Sequence, residues 1–117
     1  MRIALDAVGG DFGLPPNIEG AISAANAFGV ELILTGPAAA VRAELSARGI
    51  AETDSRFLVA DAPDRIGMNE DPASACRAKP KSSIMVAAEL CASGRASGFV
   101  SAGNSGATRA DALWHLK

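Results

Sequence analysis

The sequence has no tyrosine, one tryptophan, one histidine and two cysteines. The cysteines, Cys76 and Cys91, have no metal-like spacing, and His115 alone could join them. That argues against a zinc site, and no other metal set suggests itself. Without a histidine partner neither thiol reads as a nucleophile, and both are expected to be free and buried in a reducing cytoplasm. Long hydrophobic runs are absent too, which excludes a transmembrane helix of about 18 apolar residues. Asp6 and Asp11 interrupt the N-terminal apolar stretch, against a secretory signal. Neither sign of charge dominates: Lys+Arg is 11 against Asp+Glu 13, so binding of nucleic acid through bulk charge is not expected. What is present is apolar bulk. With 49% hydrophobic residues and a net charge of -2, the chain is no disordered segment.

The 117 residues suit one globular domain or a piece of a larger one. Strand-like and helix-like segments alternate along them. Ile3 to Val8 is apolar enough for a central strand buried on both faces. After a glycine break and Pro15-Pro16, the apolar positions Ile18, Ala21, Ile22, Ala25 and Phe28 recur at three and four, predicting an amphipathic helix closed by Gly29. Val30–Thr35 predicts a second strand, 38–48 a second helix facing inward through Val41 and Leu45, and Arg56–Ala60 a third strand. A long connection from Asp61 to Pro72 leads to a short helix over 73–78, which Glu70 and Asp71 precede as candidate caps. Residues 83–93 predict a longer helix, capped by Ser82 or Ser83. Gly98–Ser101 predicts a fourth strand, and a last helix starts near Ala107. This alternation implies an α/β fold: a parallel sheet with helices on both faces, a three-layer αβα arrangement. Ligands of such sheets sit at the carboxyl ends of the strands, which here means segments 6–13, 61–83 and 101–106.

Each segment carries candidate chemistry. Ser101-Ala102-Gly103-Asn104-Ser105-Gly106-Ala107 is a glycine-bearing turn before a helix; close backbone approach and unpaired N–H groups suit an anion there. It lacks the lysine of a phosphate-binding P-loop, and a plain strand-to-helix turn reads the same. Arg77, Lys79 and Lys81 run into Ser82 and Ser83 at a helix start, a mixture that phosphate recognition uses. A solvated basic loop with a serine cap is the competing reading. Asp6 and Asp11 flank Gly9 and Gly10 after the first strand; as metal ligands they are a poor set, and a loop-orienting role is preferred. His115 and Trp114 read as surface or interface residues.

In this order, Ile3 through Asp11, Pro72 through Arg77 with Ser82-Ser83, and Val100 through Ala107 resemble the bacterial phosphate acyltransferase (PlsX) family of phospholipid synthesis. The resemblance spans essentially the whole chain, which looks like the N-terminal third of such a protein. It implies a broad fold shared with isocitrate and isopropylmalate dehydrogenases. The implied reaction converts acyl-acyl carrier protein and inorganic phosphate to acyl phosphate and free carrier. It implies no cofactor, a homodimer, a cytoplasmic location and peripheral association with the inner membrane face. Applied to these residues, the resemblance assigns Arg77, Lys79, Ser82 and Ser83 to phosphate, and Asn104, Ser105 and the Gly103–Gly106 backbone to phosphate or the carbonyl oxygen. Lys79, Asn104 and Ser105 are then the catalytic candidates, with Asp6, Gly9, Gly10 and Asp11 shaping the first loop. Phosphate is itself the nucleophile in this reaction, so no Ser-His or Cys-His pair is needed. A phosphotransacetylase-like enzyme using acyl-coenzyme A, and a phosphate-binding fragment without turnover, are the alternatives.

Overall fold

A computed structural model describes residues 1–10, 13–66 and 71–101, the side chains of Pro72 and Cys76 excepted. In chain order the elements are β1 (Arg2–Asp6), α1 (Leu14–Phe28), β2 (Glu31–Gly36), α2 (Ala38–Ala47), β3 (Phe57–Asp61), α3 (Pro72–Ala78), α4 (Ser83–Ala92) and β4 (Gly98–Val100). The four strands form one parallel sheet in the order β3-β2-β1-β4. β1 is therefore central, as its apolar sequence requires.

Side-chain alternation along the strands sorts the core into two layers. Leu32, Leu34 and Phe57 point to one face with Ile3 and Leu5, where Ile18, Ala21 and Ala25 of α1 and Val41 and Leu45 of α2 cover them. Ala4 and Ile33 point to the other, under Ala87 and Leu90 of α4. The order explains the split. The chain moves one way from β1 to β3, then returns across two strands to β4, and right-handed crossovers in opposite directions place their helices on opposite faces.

Three expectations change. Ile3 and Leu5 are only half-buried, because the α1 layer stops short of β4. A groove of about 310 Å³ opens there among Ile3, Leu5, Gly20, Ala24 and Val100. Phe28 is 79% exposed, although it continues the apolar spacing of α1. It is the helix's last residue, and at Gly29 (φ 67°, the left-handed cap conformation) the chain turns back toward β2, so no layer lies beneath it. Cys91, expected to be buried, is a half-buried free thiol. Among the described residues no helix is long and apolar enough to cross a membrane.

Candidate functional site at the carboxyl end of the sheet

The strand order reverses between β1 and β4, and in open parallel sheets the ligand crevice lies at that switch point, outside the carboxyl ends of the strands. Strand parity decides what lines it. Asp6 shares a face with Ala4, Thr35 with Ile33, and Ser101 with Phe99, so three adjacent strand ends each put a polar side chain on the α4 face. Their contacts follow that placement. Ser101 Oγ donates to Asp6 Oδ2 at 2.8 Å, joining the ends of β4 and β1 across 95 residues of sequence. Thr35 Oγ1 donates to the Ser83 carbonyl at 2.8 Å and reaches the Leu5 carbonyl at 3.3 Å, fixing the start of α4 over the ends of β2 and β1. Asp6 is 1% exposed and Thr35 0%, so water cannot replace these partners.

Asp64 meets the start of α4 on that same face. Asp64 pairs with Ser82 in an isolated parallel bridge, and the Ser83 N–H donates to the Asp64 carbonyl at 3.1 Å. Ser82 caps α4, its Oγ accepting from the Met85 N–H at 3.2 Å. Two of the first three N–H groups of α4 are thus already engaged. Ser83 Oγ has no hydrogen-bond partner among the described residues, although Ser83 is 1% exposed. A buried hydroxyl without a partner costs about 1–3 kcal/mol, so Ser83 Oγ is open to a ligand both as donor and as acceptor, whereas one lone pair of Ser82 Oγ is already used by the cap.

Lys79 and Arg65 link the segment 61–83 to the first loop. Lys79 Nζ donates to the Arg65 carbonyl at 2.9 Å, and Arg65 Nη2 donates to the Gly10 carbonyl at 2.6 Å. On the opposite side, Asn17 on the first turn of α1 reaches the carbonyls of Ala7 (3.0 Å), Gly9 (2.8 Å) and Gly13 (3.0 Å) through its Nδ2. The loop after β1 is therefore held from both faces of the sheet.

The structure brings Asp6, Gly9, Gly10, Lys79, Ser82 and Ser83 to one end of the sheet. Arg77 lies exposed on the last turn of α3 and Lys81 is exposed before α4. Asp71 caps α3, and the Ser74 N–H that donates to it at 3.0 Å holds its carboxyl below the usual range, with a smaller contribution from the Arg77 charge. Asp11, Glu70, Gly103, Asn104, Ser105, Gly106, Trp114, His115 and the last helix lie outside the described residues. Sequence reading missed Asn17, Thr35 and Arg65. Asn17 sits among the residues opening a helix, and Thr35 looks like any strand residue; neither carries a local signal.

Comparison with known proteins gives this geometry a context. The fatty acid synthesis protein family matches residues 1–117. The chain is 49% identical over 116 residues to a phosphate acyltransferase of Elusimicrobium minutum, covering 99% of this chain and 34% of that protein. It is 46% identical over 116 residues to a phosphate acyltransferase of Herpetosiphon aurantiacus, at 99% and 31% coverage. A third, from Deinococcus radiodurans, is 49% identical over 118 residues, at 99% and 31%. The chain spans about a third of the length of these curated relatives.

Proposed function

Because this chain belongs to the fatty acid synthesis protein family, we propose that it is the N-terminal, phosphate-handling portion of a phosphate acyltransferase. The observation that carries this reading is the match over the full chain to proteins of that name. The acyl donor is an acyl-acyl carrier protein thioester and the acceptor is inorganic phosphate. A phosphate oxygen attacks the thioester carbonyl carbon, a tetrahedral oxyanion forms, and the carbon–sulfur bond breaks. Acyl phosphate and the carrier thiol result, the thiolate taking up a proton.

Such a reaction asks the protein for placement, charge stabilisation and exclusion of water. Ser83, Lys79 and Arg77 supply hydroxyl and cationic donors for phosphate, and Ser82 holds the helix start on which Ser83 sits. Asn104, Ser105 and the backbone of 103–106 bind phosphate or the carbonyl oxygen. Asp6, Gly9, Gly10 and Asp11 shape the first loop. The Ser101–Asp6 bond supports this arrangement, because it ties the segment entering residues 102–106 to the first loop. The assembled enzyme is a homodimer that works in the cytoplasm at the membrane face.

The test is release of carrier thiol from acyl-acyl carrier protein with and without phosphate. Phosphate-dependent release, with acyl-coenzyme A a poor substitute, is the expected result. Equal use of acyl-coenzyme A would instead indicate a phosphotransacetylase-like enzyme. A phosphate-binding fragment without turnover is the other alternative. Phosphate binding with no thiol release would establish it.

A further inference from the structure

The three carbonyls gathered by Asn17 have a consequence for the groups bonded next to them. A trans peptide points its C=O and the following N–H in opposite directions. A carbonyl drawn toward α1 therefore sends the next N–H toward the other face of the sheet. The Ala7–Val8 peptide displays this: its carbonyl accepts from Asn17, and its N–H donates to Asp6 Oδ1 at 3.3 Å on the α4 side. The Gly9–Gly10 peptide repeats the construction, with its carbonyl 2.8 Å from Asn17 Nδ2. Its N–H, on Gly10, has no acceptor among the described residues. Gly10 is half-buried and has φ 87°, a conformation that glycine adopts without strain. Its own carbonyl is fixed by Arg65 at 2.6 Å, so both sides of the residue are held and the N–H direction is set before any ligand arrives.

We propose that Asn17 is a positioning residue, and that the peptide it orients presents the Gly10 N–H as a donor to a phosphate oxygen in the crevice between β1 and β4. The inference rests on the phosphate-handling reading above and adds one donor and the residue that aims it. The Asn17 amide shares its two hydrogens among three carbonyls and touches no substrate. Its effect passes entirely through the backbone of residues 7–13.

The test is a titration of the 117-residue protein with inorganic phosphate, followed by amide NMR, for the wild type and for Asn17→Asp. Aspartate keeps the side-chain size and cannot donate to the carbonyls. In the wild type the Gly10 amide is expected to shift with the same midpoint as the amides at the start of α4. In Asn17→Asp the Gly10 response is lost and phosphate binding weakens about tenfold, the scale of one charge-assisted hydrogen bond. An unmoved Gly10 amide beside shifting α4 amides overturns the proposal and leaves the phosphate reading standing. An unchanged Gly10 response in Asn17→Asp overturns the role of Asn17. Absence of any shift at the strand ends overturns both. If Asn17→Asp fails to fold, the wild-type Gly10 shift decides the donor, and Asn17→Ser, which retains one donor, decides the positioning by an intermediate loss of response.

Discussion

At the scale of the residue, the crevice depends on a few buried polar groups with unequal freedom to be replaced. Thr35 makes the clearest case. Its hydroxyl meets the Ser83 and Leu5 carbonyls in a position with no exposure, so removing it leaves buried acceptors without their donor. Thr35→Val conserves shape, and is expected to cost about 1–2 kcal/mol in urea denaturation. Because the lost contact holds the start of α4, phosphate affinity should fall with it. Ser101→Ala acts on a different partner. Asp6 is 1% exposed and its Oδ2 would lose the Ser101 hydroxyl, so a destabilisation of about 1–3 kcal/mol is expected by the same measurement. Sequence could single out Asp6, because a carboxylate after an apolar strand is conspicuous. It could not single out Thr35 or Asn17, whose partners lie 48 and up to 10 residues away and are gathered only by the folded loops.

At the scale of the element, local chemistry sets each start and stop, and packing sets the rest. Pro15 and Pro16 open α1 from its first turn, so the helix begins at Leu14, ahead of the apolar periodicity that starts at Ile18. Asp61, at the end of β3, accepts the Ala38 N–H at 3.0 Å and so caps α2, a helix whose own N-cap residue is Pro37. That contact joins elements adjacent in space and twenty-three residues apart in sequence, and no local pattern announces it. Ser82→Ala removes a cap within the site and is expected to cost about 0.5–2 kcal/mol, read as a lower thermal midpoint with fraying confined to the first turn of α4. Ile18→Ala tests the opposite layer. Its side chain is 0% exposed under the sheet, and the expected loss in denaturant titration is about 2–5 kcal/mol. The alternation of strands and helices was legible from apolar spacing and glycine punctuation, and parallel pairing followed from it. The order of the strands was not, because periodicity says which face a residue takes and nothing of which strand lies beside it.

At the scale of the whole molecule, acid should weaken the fold through carboxylates engaged by donors. The Asp54 carboxyl is held below the usual range by its hydrogen bonds with the Arg56 side chain and backbone, at 2.9–3.1 Å. Asp71 is held low by the Ser74 N–H. A depressed folded-state pKa gives stability that is complete above the ordinary aspartate range and is lost as pH falls through it. Thermal midpoints measured from neutrality downward should therefore drop on entering that range, and Asp54→Asn should flatten part of the drop. The position of β1 bears on another matter, the order of events during synthesis. Its slot is filled on one side by β2, which leaves the ribosome soon after it. The other side waits for β4, about sixty residues later, which at roughly 5–20 residues per second is an interval of several seconds. Throughout that interval an interior strand of the nascent chain has an open hydrogen-bonding edge, and the crevice that Asp6 and Ser101 join does not yet exist.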